Sequence, residues 1–400
     1  MRILFFTPYQ LWPSNSGARL RSLHLASALG RTASVTLLQI LQPNEVVFTP
    51  NDTALSGITS ARKEESYTPK KILAGILGPV PLTVLNYQST DISGVLRTTL
   101  SDGRFDSVQL ESIHLFPYID AIRTLARRPE IVLDWHNIES ELMLRYAVET
   151  KNLPKQWIAR RTAGLLTRLE NVALRTCSAH TVVSDRERDK LLARHPGASV
   201  HVVPNGVDTS AFAVRQIAPA LKSLLFVGSM DYHANIDAVT WFAATAWPML
   251  SSRLPDLKFV IVGRSPAREV QAIAGGQVHV TGTVDDVRPF YTDALAMIVP
   301  LRVGGGTRLK ILEAMAMGVP VISTTVGAEG IDARHEENIL IADNENEMVA
   351  AVERLAFSMS LQTRLAATAR KMVETRYDWG TIGSHLFALH RGLNGTCSLG

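Results

Sequence analysis

Short apolar segments bounded by turn residues recur along this 400-residue chain, and they restrict its fold more than any other feature. Helix-length amphipathic segments separate most of them. Apolar strands without strict alternation, joined by helices, are typical of parallel sheets covered on both faces. The sequence therefore predicts an α/β, doubly wound fold, with these strands: RILFF, SVTLLQI, SVQLE, IVLDW, HTVVS, VHVVP, SLLFVG, KFVIVG, VHVTG, AMIVPL, VPVIST and NILIA.

The series of strands breaks once, in PNGVDTSAFAVRQIAPALKS at residues 204–223, where turn residues replace the periodic pattern. Since a chain of this length exceeds the roughly 250–300 residues that one core supports, we predict two domains. Their predicted ranges are 1–205 and 223–377, joined by a linker at 206–222. The sequence does not show which domain the final helical segment, 378–400, packs on; it can return to the first. Two such domains facing each other would bind ligands at the carboxyl ends of their strands.

Composition excludes several classes of protein. The chain is 46% hydrophobic and 20% charged, which is typical of a globular protein, and its net charge of +4 is too small to indicate a nucleic-acid partner. Cys177 and Cys397 show no disulfide or zinc spacing, and no segment reaches the roughly 18 apolar residues of a membrane span. We therefore expect a cytoplasmic protein without a metal site.

The stretch VGGGTRLKILEAMAMG, residues 303–318, places Arg308 and Lys310 where a predicted helix begins. A helix N-terminus is already partly positive, so cations are unfavourable there unless an anion is bound. Gly304, Gly305 and Gly306 leave their backbone N–H groups uncovered, as in phosphate-binding loops. The pattern predicts a bound phosphate or diphosphate; the alternative is an ordinary loop before an amphipathic helix.

Glu313 extends this prediction to a whole nucleotide. At 1.5 Å rise per residue it lies about 10 Å along the helix from Gly306, roughly the distance from a diphosphate to the ribose hydroxyls. A carboxylate accepts hydrogen bonds only, so it suits a pair of hydroxyl donors.

Four segments together resemble the family 4 glycosyltransferases of GT-B fold: SGARLRSLHLASAL, VVPNGVDTSAF, LLFVGSMDYHANIDAV and PLRVGGGTRLKILEAMAMGVPVIST. The resemblance implies two facing Rossmann-like domains and transfer of a hexose-type sugar from a nucleotide diphosphate donor with retention of configuration. It implies no cofactor and no required metal, and the sequence holds no D-x-D pair. The acceptor would be a saccharide or a lipid-linked saccharide, used in cell-surface polysaccharide synthesis.

Carried over by position, Glu313 matches the second Glu of the family's E-x7-E motif, and Gly305 replaces the first. This replacement excludes a side-chain nucleophile at position 305 and favours departure and attack on one face of the sugar. After Gly228 the family usually has Arg, and a Lys some five residues on, where this chain has Ser229 and then Ala234 or Asn235. We expect Arg308 and Lys310 to supply the missing charge as catalytic residues.

The remaining site residues follow from the same resemblance. The implied donor-binding residues are Gly17, Gly228, Ser229, Gly282, Gly304, Gly305, Gly306, Thr307 and Glu313. His136 ends the strand IVLDW and resembles the histidine that reaches the donor sugar, so we assign it as catalytic. Asp134 and Asn137 flank it and can orient its second nitrogen, although Asp134 also suits a turn. The predicted acceptor side comprises Glu111, His114 and Arg19.

Two basic amphipathic segments, 67–82 and 151–175, combine lysines and arginines with large apolar residues. They fit either an anionic membrane surface, which would make the protein peripheral, or an ordinary solvated helix face.

Other functions remain open beside glycosyl transfer. They are a sugar-nucleotide epimerase on the same fold and a catalytically silent nucleotide-sugar-binding subunit. A nicotinamide-dependent oxidoreductase is disfavoured because G-x-G-x-x-G is absent from both opening strand–helix turns.

Overall fold

A computed structural model describes residues 1–14, 16–50, 53–215, 223–303 and 308–396. By its internal contacts the chain divides into two units, Met1–Pro204 with the segment from Ile382 onward, and Asn205–Thr381. The described part of the proposed linker, 206–215, belongs to the second unit, as does residue 205, which the sequence assigned to the first domain. There Arg215 is buried and donates to the backbone carbonyls of Tyr291 and Thr292.

The first unit is built on a seven-stranded, wholly parallel sheet of order β3-β2-β1-β4-β5-β6-β7. Every residue of β1 after Arg2 is buried, as expected for a strand with helices on both faces. The strands are β1 (Arg2–Thr7), β2 (Ser34–Leu41), β3 (Gly57–Arg62), β4 (Ser107–Leu110), β5 (Glu130–Trp135), β6 (Ala179–Val182) and β7 (Val200–Val202).

Eight α-helices and one 3-10 helix, Ile113–Tyr118, connect these strands in the described residues. The hydroxyls of Ser16 and Ser184 cap the helices that follow them, as their side-chain chemistry favours. The helices are α1 (Gly17–Gly30), α2 (Pro69–Leu77), α3 (Leu82–Leu85), α4 (Thr90–Asp102), α5 (Ile119–Arg123), α6 (Glu139–Glu149), α7 (Leu153–Thr176) and α8 (Asp185–Arg194).

The second unit repeats the design with a six-stranded parallel sheet of order β10-β9-β8-β11-β12-β13. In both sheets the chain moves outward on one side of the first strand and then returns to the other side, the order typical of doubly wound nucleotide-binding folds. The strands are β8 (Ser223–Val227), β9 (Lys258–Val262), β10 (Val278–Val280), β11 (Ala294–Val299), β12 (Val321–Ser323) and β13 (Leu340–Ile341).

The described helices after β8 are α9 (His233–Arg253), α10 (Arg268–Ala272), α11 (Arg288–Thr292), α12 (Leu309–Ala316), α13 (Glu345–Ala356), α14 (Met359–Arg376) and α15 (Trp379–Thr396). Arg308 is the N-cap residue of α12, and Gly318 follows the helix at a φ of +71°, which favours glycine. The last helix, α15, lies against the first unit from Ile382 onward. None of the described helices has the length and apolarity needed to cross a membrane.

These two sheets confirm the α/β doubly wound prediction. Each brings candidate site residues to the carboxyl ends of its central strands, where such folds bind ligands: Glu111 and His136 after β4 and β5, Gly228 and Arg264 after β8 and β9.

Candidate active site

The first unit contains a buried cluster of charged side chains at the carboxyl ends of β4 and β5. Asp134 is fully buried and receives two hydrogen bonds from Arg21 of α1, at 2.8 and 3.2 Å, and one from the Thr181 hydroxyl at 2.6 Å. Arg21 also donates to the Pro204 carbonyl oxygen at 3.0 Å. Burial would raise the pKa of Asp134, but the charges of Arg21 and His136 hold it below its ordinary value.

His136 faces this cluster through Nε2, which lies 3.2 Å from Glu111 Oε2 and 3.3 Å from Asp134 Oδ2. Its side chain is 15% exposed. Burial alone would lower the pKa of His136, but the hydrogen bond to Glu111 and the charge of Asp134 raise it above the ordinary value. The structure therefore brings together two of the predicted residues, His136 and Glu111. Asp134 lies beside the same Nε2 atom, not the second nitrogen, and it belongs to strand β5 and not to a turn.

Glu111, Asp134 and His136 also offer three ligand atoms within 4.8 Å of one another, the spacing of a metal site. The donor set does not fit a divalent cation. Arg21 already engages both oxygens of Asp134, and Ser22 and Gln109 donate to the two oxygens of Glu111. A cation placed here would have to displace the Arg21 guanidinium, whose charge already offsets that of Asp134.

The other predicted residues of this unit lie in separate interactions. Gly17 is exposed at the first position of α1, with open space around it. Arg19 pairs with Glu45 at 3.1 Å. His114 Nδ1 lies 2.7 Å from the Ser112 hydroxyl, and burial lowers its pKa to about 4.

Glu111 was assigned above to the acceptor side. In the structure it is fully buried and contacts His136.

In the second unit, the start of α12 approaches the loop after β8. Lys310 Nζ donates to Asn235 Oδ1 at 3.0 Å and lies 4.0 Å from the centroid of the Phe226 ring. A Cβ added at Gly228 would lie 2.8 Å from this ammonium nitrogen, so the glycine permits the close approach. Lys310 thus reaches the loop whose own residues, 228–235, contain neither lysine nor arginine.

The electrostatics of this site are unusual for a lysine. Burial, with a smaller contribution from the charge of Arg308, lowers the pKa of Lys310 to about 7, although Glu313 opposes the shift. Burial also lowers the pKa of Arg308, which is 8% exposed.

Glu313 lies on α12, one turn beyond Lys310. Its Oε2 accepts a hydrogen bond of 2.9 Å from the Tyr291 hydroxyl. Burial raises the pKa of Glu313, and the hydrogen bond from Tyr291 and the charge of Lys310 oppose that shift.

Sequence reasoning missed Arg264, which follows β9 directly after Gly263. Its Nε donates to the Ser229 hydroxyl at 2.8 Å, and the residue is exposed. A signal was present, since an arginine at the end of KFVIVGR lies beside the strand that leads to Gly228. Gly282 follows β10 with a φ of +73° and open space around it. Gly304, Gly305, Gly306 and Thr307 lie outside the described residues.

Comparison with protein families gives a match in each half of the chain. Residues 46–211 match the Glycosyltransferase Family 4 profile, and residues 221–357 match the Glycosyl transferases group 1 profile. The first match lies mostly in the unit of His136 and extends to residue 211 of the second unit, and the second match lies within the unit of Lys310.

Curated relatives are distant. An uncharacterized 44.6 kDa protein in the cps region of Klebsiella pneumoniae is 25% identical over 41% of this chain and 45% of its own. A phosphatidyl-myo-inositol mannosyltransferase of Mycolicibacterium smegmatis is 28% identical over 50% and 53%. The lipopolysaccharide core biosynthesis glycosyltransferase LpsE of Rhizobium meliloti is 27% identical over 69% and 79%. The chain thus spans about half the length of the first two relatives.

Solved structures match over the whole chain at low identity. Sucrose-phosphate synthase from Thermosynechococcus elongatus has a TM-score of 0.70 at 16% identity, covering 99% of this chain and 100% of its own. WaaG, a glycosyltransferase involved in lipopolysaccharide biosynthesis, has a TM-score of 0.63 at 15%, covering 97% and 100%. Anabaena HepE in complex with UDP and glucose has 0.62 at 14%, covering 96% and 98%. These likenesses show the GT-B fold.

Proposed function

This chain belongs to the group 1, family 4 glycosyltransferases, and on that premise we propose that it moves a sugar from a nucleotide diphosphate donor to a saccharide or lipid-linked acceptor, with retention. The donor would bind to the second unit, around the start of α12. No metal would be required, and the sugar would be a hexose. The product would contribute to cell-surface polysaccharide.

The observation that carries this proposal is the setting of Lys310. The side chain is half-buried, its ammonium is held by a neutral amide and an aromatic ring, and its pKa is about 7. An anion bonded to this nitrogen would offset the burial that disfavours its charge. A diphosphate at the start of α12 would also gain from the helix dipole.

The proposed reaction uses each site residue for a separate task. Glu313 accepts hydrogen bonds from the ribose hydroxyls, while Lys310, Arg308 and Arg264 neutralise the charge that develops on the departing diphosphate. His136 donates a hydrogen bond to the donor sugar.

Bond changes in this reaction are confined to one face of the sugar. The bond from the anomeric carbon to the diphosphate oxygen breaks as the acceptor hydroxyl oxygen bonds to that carbon. The hydroxyl proton passes to the departing diphosphate oxygen, so no side-chain nucleophile is needed at position 305.

A donor screen tests the proposal. Purified protein is incubated with UDP-, GDP- and ADP-linked sugars and a panel of saccharide and lipid-linked acceptors, and released nucleoside diphosphate is measured with and without EDTA. We expect acceptor-dependent release from one donor, unaffected by EDTA, and a product whose anomeric configuration matches the donor. An isomerised nucleotide sugar without release would identify an epimerase, and binding without any turnover would identify a silent subunit; either contradicts the proposal.

We propose further that the first unit docks on an anionic membrane surface through α2 and α7. Arg161 of α7 donates to the Gly78 carbonyl oxygen at 2.8 Å, which ties the end of α2 to α7. The two helices present large exposed apolar side chains, and exposed Lys70, Lys155 and Arg160 accompany them. The apolar residues and their exposed fractions are Leu73 (58%), Leu77 (72%), Leu153 (73%) and Trp157 (55%).

Flotation with liposomes tests this surface. We expect co-flotation with vesicles that contain anionic lipid, weaker binding to zwitterionic vesicles, and loss of binding in Leu77→Ser/Trp157→Ser. Phe357→Ser is the matched control because Phe357 is 79% exposed on the second unit. Binding that does not depend on anionic lipid, or that the double substitution leaves intact, would contradict the membrane surface.

A further inference from the structure

Glu111 has the surroundings of an ionised carboxylate although it is fully buried. Its Oε2 accepts from the Ser22 hydroxyl at 2.7 Å and lies 3.2 Å from His136 Nε2, and its Oε1 accepts from Gln109 Nε2 at 3.0 Å. Three donors converge on the two oxygens. A carboxylate accepts hydrogen bonds and, when ionised, donates none, so His136 must present a proton on Nε2.

A count of buried charges gives the protonation state of the imidazole. Glu111 and Asp134 are two fully buried carboxylates, and Arg21, 2% exposed, is one cation. Protonated His136 makes the group of four neutral, whereas a neutral imidazole would leave one buried carboxylate without a counter-charge.

Other titratable groups near His136 come from the elements around it. Burial and the negative charge of Glu111 raise the pKa of Tyr9, so its hydroxyl stays neutral. Burial and the charge of His136 lower the pKa of His114 to about 4, so that ring is neutral as well. Burial raises the pKa of Glu139 to about 7, although the charge of His136 lowers it in part. Near neutral pH none of these groups adds a cation that would replace the imidazolium.

A second chain of hydrogen bonds ties Glu111 to the C-terminal helix. Because Gln109 gives its NH₂ group to Glu111, its carbonyl oxygen faces His390 Nε2 of α15 at 3.0 Å. That nitrogen must therefore carry a proton. His390 Nδ1, 2.6 Å from the Ser107 hydroxyl, is then left as an acceptor. Burial lowers the pKa of His390 to about 4, consistent with a neutral ring of this one tautomer.

We propose that Glu111 is the positioning residue for His136: it holds the ring as an imidazolium with Nε2 turned inward, and α15 fixes Glu111 through Gln109 and His390. His136 is then a hydrogen-bond donor, not a general base. Its part in sugar transfer rests on the proposed function, but its charge state and orientation do not.

Nitrogen-15 spectra of histidine-labelled protein test the charge state without any substrate. His136→Gln assigns the signal. In the wild-type protein near neutral pH, we expect both His136 nitrogens to show imidazolium shifts, and Glu111→Gln to convert the ring to a neutral form. Glu170→Gln is the matched control, because Glu170 is a fully buried carboxylate of the same unit that bonds to Ser140 and Arg194. It should leave the His136 signals unchanged.

The proposal is overturned by a neutral His136 in the wild-type protein near neutral pH, or by a Glu111→Gln protein in which His136 titrates as before. Stoichiometric bound metal that Glu111→Gln removes would also overturn it. Should Glu111→Gln not fold, the wild-type spectrum alone decides the charge state.

His390→Phe tests the link to α15. We expect the His136 signals to shift although residue 390 does not bond to the ring. Unchanged signals in a folded variant would remove α15 from the proposal.

The kinetic constants of Glu111→Gln distinguish a positioning role of Glu111 from a role in folding alone. We expect Glu111→Gln to lower kcat by about 10–100-fold, by analogy with the loss of a partner that orients a metal-ligating histidine, with a smaller change in the KM for the donor. An unchanged kcat with a neutral His136 would show that the imidazolium has no part in turnover. If no donor is turned over at all, the proposed function fails while the spectra still test the positioning of His136.

Discussion

The two units share a strand order but arrange their buried charges in opposite ways. In the first, the carboxylates of Glu111 and Asp134 match two cations, Arg21 and a protonated His136. In the second, the ammonium of the half-buried Lys310 bonds to a neutral amide, and its pKa falls to about 7.

This difference separates a cluster whose charges are paired with one another from a group of cations that suits an anionic ligand. The first cluster satisfies its own charges, so it can hold His136 in one orientation before any substrate arrives. The second keeps cations where the helix dipole and burial both disfavour them. An anionic ligand would offset both effects, which favours its binding. The same fold therefore supplies a cluster of paired charges in one unit and a group of cations suited to an anion in the other.

The largest expected effect concerns the charge at the start of α12. Arg308→Ala should lower turnover by about 10²–10³, equivalent to about 3–4 kcal/mol, because one donor to the developing negative charge is lost. Arg253→Ala is the control, since Arg253 is exposed on the same unit and pairs with Glu353. Circular dichroism should show both variants folded, and near-normal turnover in Arg308→Ala would contradict the role of this charge.

Acid should weaken the first unit before the second. Burial lowers the pKa of His114, His180 and His390 to about 4. Because the folded pKa lies below the unfolded value of 6.5, their stabilisation is present above pH 6.5 and is lost as pH falls toward 4, by up to about 3 kcal/mol each. His136 acts in the opposite direction: its raised pKa adds stability below pH 6.5 that is lost as pH rises through the folded pKa.

Hydrogen exchange measured between about pH 5 and pH 7, corrected for intrinsic rates, checks this prediction. First-unit amides should lose protection at the acid end while those of the second unit keep theirs. Equal loss in both units would show that the buried histidines do not dominate the acid response.

Glu313→Gln should show whether Glu313 contacts the nucleoside or the phosphates of the donor. Since a hydrogen bond to a charged group contributes about 1.5–3 kcal/mol, the affinity for UDP, GDP or ADP should fall by about 10–100-fold. Binding of inorganic pyrophosphate, which has no ribose, should change little. Calorimetry of both ligands checks the contrast, and parallel losses for the two would place Glu313 at the phosphates or in the fold alone.

A smaller effect is expected at Arg264, an exposed cation held by Ser229. Arg264→Ala should weaken donor binding by about tenfold, and Ser229→Arg in the same chain should restore part of it by returning a cation to the position after Gly228. Donor KM checks both variants. If the second substitution rescues nothing, the charge of Arg264 does not serve the donor.

Local patterns predicted the parallel sheets, because a buried parallel strand leaves an apolar signature in consecutive residues. The same is true of the helix from Leu309, whose first turn and terminating Gly318 are local features. What lay beyond the sequence were contacts between distant residues. Arg21 and Asp134 are 113 residues apart, and Lys310 and Asn235 are 75 apart.

Glu111 illustrates the limit of reasoning from strand ends. A polar residue there suggested a surface that faces the acceptor, yet the side chain is buried by α1 and by the ring of His136. The direction of a side chain at a strand end depends on how other helices and strands pack against it. The sequence of one segment does not contain that information. Arg264 was missed for the related reason that its partner, Ser229, lies on a neighbouring strand's loop.

Proton uptake on nucleotide binding tests the anion-dependent site most directly. Calorimetry near pH 8, in buffers of different ionisation enthalpy, measures protons taken up when UDP, GDP or ADP binds. Because the pKa of free Lys310 is about 7, the wild-type protein and His136→Gln should each take up close to one proton. Lys310→Met should take up almost none. Binding without proton uptake in the wild-type protein, or uptake that survives Lys310→Met, would contradict a diphosphate site completed by Lys310.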